Sequence, residues 1–264
     1  MSRRMLLSTL AGLPTIRAGD DLAALIVAAL AQEKIAAEDG DVLVLAQKIV
    51  SKAEGRRVQL RDVAPTQRAV ELAAECDKDP RIVELMLRES VAVLRCRPGV
   101  IIVEHRSGMV MANAGIDASN VEAAMDSDGA AVDDDDVSVL LLPEDADRSA
   151  AQLRETLGSL LGCDIGIVIN DSFGRAWRNG TIGTAIGVSG PPALWDMRGL
   201  PDRNGRLLRT TEVGIADELA AAASLLMGQG NEGLPVVHAR GFPLAFRPGS
   251  MRELIRDRNI DLFR

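Results

Sequence analysis

The sequence predicts an α/β fold, of the mixed α+β kind, from two observations. Helix-like and strand-like segments alternate along the whole length, which disfavours a helix bundle or an all-β sandwich. The apolar run Ile165–Ile169 also reads as a buried strand that ends abruptly in polar residues. No internal repeat is present. With 264 residues the expectation is one domain over 1–264. If it divides into two lobes, the Asp-rich stretch 126–136 is the boundary that the sequence favours.

In chain order, the N-terminal MLLSTL followed by Gly12 and Pro14 reads as a strand and a turn, too short and broken for a signal peptide. Asp20 is expected to cap a helix over Leu22–Gln32, whose apolar face is Leu22, Leu25, Ile26, Ala29 and Leu30. Gly40-Asp41 turns the chain into a strand over Val42–Ala46. Asp79-Pro80 opens a helix reaching about Ser90, because aspartate accepts orphan N–H groups and proline suits the first helical position. Val100–His105 and Val110–Ala112 form a hairpin around Ser107-Gly108. Arg148–Leu161 and the alanine-rich Asp217–Met227 read as helices, and Pro235–Val237 as a strand. The stretch Asp126–Asp136 carries six aspartates among small residues and reads as an exposed loop. It lacks the ordered oxygen spacing and closing glutamate of an EF-hand.

A formal charge of −8 argues against nucleic acid and anionic membrane as partners, since both need a basic excess. No run is long and apolar enough to span a bilayer. Cys76, Cys96 and Cys163 lack metal-ligand or CxxC spacing and read as buried reduced thiols, which points to the cytoplasm.

The chemistry gathers in a few segments. Asn170, Asp171 and Ser172 form a hard-oxygen cluster expected just beyond the strand Ile165–Ile169, followed by Arg175 and Arg178. A carboxylate and hydroxyl suit Mg²⁺ or Mn²⁺, and guanidinium forks suit phosphate oxygens. A strand-end turn with surface arginines explains the same residues. Gln47, Lys48 and Lys52 follow the strand Val42–Ala46 and offer either phosphate contacts or a solvated strand exit. Asp117, on a glycine-marked turn, either pairs with Asp171 to hold metals or makes an Asx-turn. Gly228-Gln229-Gly230-Asn231-Glu232-Gly233 fits GxGxxG but follows a helix and precedes a strand, the reverse of a Rossmann fingerprint. It is either a phosphate-approach loop or a helix C-cap and turn. No P-loop and no NKxD base-reading motif occurs. His105 and His238 lie alone in strand-like segments and indicate no zinc site. Ser172 lacks a GxSxG context, so a hydrolase triad is not expected. Trp177 and Trp195 read as packing residues, although Trp177 lies between two arginines and is placed to touch a ligand.

Taken together, GLPTI at 12–16, GDVLVLAQKIVSKAEG at 40–55, ANAGIDASNV at 112–121, NDSFGRAWRNGTIGTAIGVSG at 170–190 and ADELAAAASLLMGQGNEGLPVV at 216–237 resemble the coenzyme F420-0:L-glutamate ligase family. These are the gamma-glutamyl ligases that finish the deazaflavin cofactor F420. The resemblance implies that family's fold with mixed sheets, an intertwined homodimer, and GTP as co-substrate with two divalent ions, Mg²⁺ or Mn²⁺, and K⁺. It implies that Leu13, Pro14, Thr15, Ile16, Gln47, Lys48, Lys52, Asn120, Met227, Gly228, Gln229, Gly230, Asn231, Glu232, Gly233 and Leu234 contact GTP. Asp117, Asp171, Ser172 and Gln229 would hold the metals. The expected activity adds L-glutamate to F420-0 through an acyl phosphate, giving F420-1 and longer forms. Asp117 and Asp171 position the metals, and Arg175 and Arg178 act as catalytic charge-neutralising groups or hold the substrate's phosphodiester or carboxylates. A metal-dependent nucleotide phosphohydrolase and a non-catalytic GTP-binding module are the competing expectations. Two departures stand out: the Asp-rich stretch exceeds the usual connection, and Gln229 sits where some members carry glutamate. The chain ends at Arg264 without the fused flavin-binding domain of some members, so the standalone form is expected.

Overall fold

The structure is a computed structural model and describes residues 4–117 and 137–262. The elements run in the order β1 (Leu6–Thr9), α1 (Leu22–Gln32), β2 (Val42–Ala46), α2 (Gln47–Ala53), β3 (Arg57–Gln59), α3 (Gln67–Cys76), α4 (Pro80–Arg88), β4 (Ser90–Arg97), β5 (Val100–His105), β6 (Val110–Ala112) and β7 (Ser138–Leu140). After these come α5 (Ala146–Leu161), β8 (Gly166–Arg175), β9 (Arg178–Ser189), β10 (Trp195–Asp196), β11 (Glu212–Val213), α6 (Ile215–Met227) and β12 (Val236–Arg240). The mixed α/β class is as the sequence predicts. The chain divides into two compact units, Met1–Val50 with Glu144–Arg256, and Ser51–Pro143 with Asp257–Arg264. The Asp-rich stretch 126–136 lies outside the described residues. No helix among the described residues is long and apolar enough to cross a membrane.

The first unit is built on a five-stranded sheet of order β1-β12-β2-β8-β9. Its central pair, β2 and β8, is parallel, with Val42 opposite Gly166 and Ala46 opposite Asn170. Val42–Leu45 and Gly166–Ile169 are buried throughout, as continuous apolar strands covered on both faces should be. The outer strands β12 and β9 pair antiparallel to them. In β9 the register with β8 slips between Ile169 and Asn170, whose partners are Gly187 and Ala185. Ile186 is therefore the extra residue of a bulge, and the face presented by β9 reverses there. On one side of the bulge Gly187 lies under α5, where a Cβ would stand 2.4 Å from the Ala146 carbonyl. Beyond it Gly183 lies under α6, where a Cβ would stand 2.2 Å from Ser224 Oγ and 2.4 Å from the Ala220 carbonyl. Two helix-borne carboxylates accept N–H groups beside the bulge: Asp217 from Ala185 at 2.9 Å and Asp147 from Val188 at 2.8 Å.

The second unit holds the antiparallel sheet β4-β5-β6, the pair β3-β7 and the helices α3 and α4. Leu60, Val63, Leu85, Val139 and Leu141 form a core cluster within it. Glu89 is its buried charge hub, within reach of Arg56, Arg106 and His105. Burial pushes its carboxyl up, yet hydrogen bonds from His105 and Arg106 and the charges of Arg56 and Arg106 outweigh that and hold it at about 2.

Several sequence expectations shift. Asp21 caps α1, accepting from Ala24 at 3.0 Å, whereas Asp20 closes the preceding turn by accepting from Arg17. On α1, Ala23 is buried and Leu25 is only half-buried. The helix opened by Asp79-Pro80 ends at Arg88, because Ser90 begins β4. α5 and α6 each start two residues earlier than expected, at Ala146 and Ile215. The strand read as Ile165–Ile169 runs on to Arg175, so Asn170, Asp171 and Ser172 lie within it and not beyond it. Residues Arg178–Ser189, with glycines at 180, 183 and 187, form the twelve-residue strand β9. All three cysteines are free, with Cys76 buried and Cys96 and Cys163 half-buried. His105 and His238 are packed, each 2 % exposed. Trp177 is not a packing residue, at 83 % exposed.

His238 belongs to a buried polar group that sequence reading missed. Asp41 receives His238 Nε2 at 2.8 Å and the Arg240 guanidinium at 2.7 and 2.9 Å, tying the start of β2 to β12. Burial pushes the Asp41 carboxyl up, but the hydrogen bonds from Arg240, His238 and the Glu38 backbone win and hold it below the usual carboxylate range. Removing one partner of such a group strands the others. Asp41→Asn is expected to lower unfolding free energy by about 3 kcal/mol, measured by urea titration at neutral pH. In the unaltered protein this contribution is complete above roughly pH 4 and is lost as pH falls through the depressed value of Asp41. A variant as stable as the parent would remove Asp41 from the forces holding the sheet.

Candidate active site

One end of the five-stranded sheet collects residues from four separate segments. β2 and β8 are parallel and end in register at Ala46 and Asn170, so Gln47 and Lys48 emerge beside Asp171 and Ser172. β12 starts at the same end: Val236 pairs with Leu45, and the Pro235 carbonyl accepts from Ala46 N at 2.8 Å. The loop Gly228–Leu234 therefore enters the sheet there. β1 exits there too, since Thr9 pairs with Val237 and Leu10 N donates to the Val236 carbonyl at 2.9 Å. Leu13–Ile16 come directly after, with Ile16 buried and Pro14 and Thr15 exposed. A crevice at the carboxyl ends of parallel strands is the usual ligand position in α/β sheets.

Local chemistry fixes this end. Asn170 is 5 % exposed and donates through Nδ2 to Ser224 Oγ at 2.9 Å and to Met227 Sδ at 3.5 Å. It thereby ties the end of the β8 core to the last turns of α6. Its Oδ1 is buried without a hydrogen-bond partner. One pleat further, Ser172 Oγ donates to Gln229 Oε1 at 2.8 Å, joining β8 to the residue just past the helix. Alternation along the strand puts Asn170 and Ser172 on the α6 face and Asp171 on the other. After α6, Gly228 has φ 73 and ψ −178, a conformation essentially confined to glycine. A Cβ there would meet the Glu232 carboxylate at 2.1 Å. That carboxylate accepts from Gly230 N at 2.8 Å, so a loop amide already serves an anion. The positive-φ positions of this loop are Gly228 and Gly233, not Gly230.

Gln47 is buried, and Lys48 and Lys52 are half-buried, on α2, a helix where the sequence suggested only a strand exit. Arg175 and Arg178 face each other across the β8–β9 ladder beyond the sheet. Asp117 lies in the second unit, where its backbone bridges Leu140 at 2.9 and 3.0 Å. The structure therefore brings together Leu13–Ile16, Gln47, Lys48, Asp171, Ser172 and Met227–Leu234, all within the first unit. Asp117 and Lys52 fall in the other unit, and Asn120 lies outside the described residues. Sequence reading missed Asn170 as a structural tie, because its partners Ser224 and Met227 lie 54 and 57 residues away.

Ser172 and Gln229 on one face of the strand and Asp171 on the other offer oxygen ligands, which suit a hard cation such as Mg²⁺ or Mn²⁺ and not a thiophilic metal. No three of His, Cys, Asp and Glu gather among the described residues in a manner fit for a metal. Serine and glutamine are thus needed to complete any such set.

The chain matches the family described as F420-0:Gamma-glutamyl ligase over residues 12–241. It is similar to the coenzyme F420:L-glutamate ligase of Methanothermobacter thermautotrophicus, 43% identical over 255 residues, covering 96% of this chain and 96% of that protein. The protein of the same name from Methanopyrus kandleri is 44% identical over 253 residues, with 94% and 93% covered. That from Archaeoglobus fulgidus is 43% identical over 253 residues, with 96% and 94% covered.

The α6 contact at Gly183 carries a direct expectation. Gly183→Ala places a methyl against the Ala220 carbonyl and Ser224 Oγ, so α6 must lift from β9. A loss of about 1–3 kcal/mol is expected, measured by thermal unfolding. The Ser172–Gln229 contact should loosen with it, seen as faster proteolysis within Gly228–Gly233. Unchanged stability would mean that α6 is not docked as described.

Proposed function

The chain belongs to the F420-0:Gamma-glutamyl ligase family, and on that premise we propose that it joins L-glutamate to coenzyme F420-0 at the expense of GTP. The observation that carries the GTP reading is the convergence of the glycine loop, α2 and the Asp171–Ser172 segment at one sheet end. A carboxylate and an amine do not condense unaided in water, so the acid must first gain a leaving group. Transfer of the GTP γ-phosphoryl to the F420-0 carboxylate gives an acyl phosphate and GDP. Attack by the glutamate amine then forms the amide and releases phosphate.

Each residue has a role in this scheme. Loop amides around Gly228–Gly233 meet phosphate oxygens, a task for which the Gly230 N–H is already oriented toward a carboxylate. Lys48 and Lys52 on α2 supply positive charge toward the phosphates, and Gln47 and Leu13–Ile16 complete the nucleotide contacts, with Asn120 as a further one. Arg175 and Arg178 neutralise anionic charge on the substrates. Asp171, Ser172 and Gln229 would supply oxygen ligands to divalent ions, Mg²⁺ or Mn²⁺, which when bound neutralise phosphate charge and polarise the γ-phosphoryl group; K⁺ assists. Gln229 is neutral, so this set carries less negative charge than one with a glutamate. We further place the protein in the cytoplasm as a homodimer, and longer glutamate chains are within its reach by repetition of the same step.

Mass spectrometry tests the reading. F420-0 incubated with the protein, L-glutamate, GTP and Mn²⁺ should gain one or more glutamyl residues while GDP and phosphate accumulate. Phosphate release without mass gain would make the protein a phosphohydrolase, and bound but unchanged GTP would make it a binding module. Asp171→Asn should lower turnover by at least about 100-fold with the fold intact by circular dichroism. Gln229→Glu adds the missing charge while keeping the acceptor for Ser172, and should lower the Mn²⁺ concentration for half-activation by about an order of magnitude. A raised requirement would take Gln229 out of the metal set.

A further inference from the structure

We propose that the tip of the β8–β9 hairpin is a docking site for the deazaflavin substrate, with its ring against Trp177 and its phosphodiester between Arg175 and Arg178. This rests on the ligase reading above. Past the pair Ala46 and Asn170, β2 has ended and β8 keeps only β9 as a partner. The two strands continue as a ribbon from Asp171 to a two-residue turn, Ala176-Trp177, closed by the pair Arg175 and Arg178. Such a ribbon is marginally stable by itself, and three features of its tip make it less so.

Trp177 is 83 % exposed, although it is one of the largest apolar side chains in the molecule. Its φ is 60, a left-handed conformation that is strained for a bulky residue and that glycine or asparagine adopts readily at a hairpin turn. Arg175 and Arg178 are direct cross-strand neighbours, and like charges in that relation repel. Arg175 commits Nη2 to the Asn179 carbonyl at 3.1 Å, while its Nε is buried without a hydrogen-bond partner. Folding alone favours none of these choices. An anion between the guanidinium groups relieves the repulsion and takes up unused donors, and a planar ring on the indole covers its exposed face.

The ligand class is then a planar aromatic system joined to a phosphate ester. Two proposed substrates share that chemistry, GTP and the deazaflavin. GTP is assigned elsewhere, because its phosphates belong at the glycine loop. The deazaflavin carries its reacting carboxylate on a phosphodiester arm remote from the ring. The tip is four residues from Asp171 along β8, about 13 Å at roughly 3.3 Å per residue. A ring held there leaves the arm free to run back along the ribbon toward Asp171.

The test is titration calorimetry of F420-0 alone into the protein, which reads binding whether or not turnover occurs. Trp177→Gly and Trp177→Ala should weaken F420-0 binding by roughly tenfold or more, Trp177→Phe should retain most of it, and the KM for GTP and for glutamate should stay within about twofold. Trp177→Gly should also raise the melting temperature, because it removes the strained φ; a tryptophan with only a structural role would give the opposite sign. Unchanged F420-0 affinity overturns the proposal, as does a defect confined to GTP, which would put the guanine base on Trp177. A change from dimer to monomer on sedimentation would show instead that the tip seats a second copy of the chain. Tip variants that lose F420-0 affinity in a protein making no glutamyl product would sink the ligase reading and leave the docking site standing.

Discussion

The parallel pairing of β2 with β8 is the constraint on which the rest of the first unit depends. Two apolar strands, buried on both faces, lie side by side from Val42 and Gly166 to Ala46 and Asn170. Parallel strands that end in register deliver their next residues to one place. In this chain those residues are a helix beginning Gln47-Lys48 and a ribbon beginning Asp171-Ser172. β12 runs antiparallel beside β2, so its entry loop and not its exit reaches the same end. The glycine loop is there because of strand direction, and no local sequence signal contains that information.

Covering both faces of the central pair needs helices at close range, and β9 provides for it with one inserted residue. The bulge at Ile186 turns Gly187 toward α5 and Gly183 toward α6. Asp147 and Asp217, each in the first turn of its helix, accept the Val188 and Ala185 N–H groups beside the insertion. Burial pushes the Asp217 carboxyl up, against a lowering by the Ala185 hydrogen bond. Each carboxylate thus anchors a helix start to β9 and satisfies a backbone donor of the strand. The other end of α6 is held by Asn170, and the Gln229 amide then meets Ser172. Placement of the loop is the consequence of a helix pinned at both ends.

Much of this was legible in the residues. Val42–Ala46 reads as the strand it is, to the residue, as do the hairpin strands Val100–His105 and Val110–Ala112. The Asp79-Pro80 start holds because capping is a local interaction. Errors arose where one residue type serves two ends. The glycines of the segment after Asp171 give no local sign of strand, yet Gly183 and Gly187 are strand glycines that admit helix backbone. α5 begins at Ala146 because Asp145 caps it, and α6 begins at Ile215 directly after Gly214, with Ile215 and Ala216 already buried. For the candidate site, the residue types and their order were readable, and the pairing was not. Ser172 and Gln229 are 57 residues apart, and Asp41 and His238 are 197 apart. Only the sheet order joins them.

Polar burial in the first unit gathers at the two ends of the sheet. Around Asp41 the carboxylate is fully engaged by His238, Arg240 and the Glu38 N–H, while His238 Nδ1 is buried without a hydrogen-bond partner. At the other end of the sheet the choices run against folding. Asn170 buries an unmatched carbonyl oxygen, Gly228 holds a conformation open to glycine alone, and the ribbon from Asp171 ends in opposed arginines and an exposed, strained tryptophan. Sequences agree with their fold wherever folding is the only demand, and depart from it where another demand is met. Here the departures sit along β8 beyond Ile169 and on the loop it touches. The apolar cores of the two central strands, Val42–Ala46 and Gly166–Ile169, could have given way to any polar residues. This chain ends them in hydroxyl, carboxylate, guanidinium and glycine amide, the groups on which the proposed nucleotide role of that end rests.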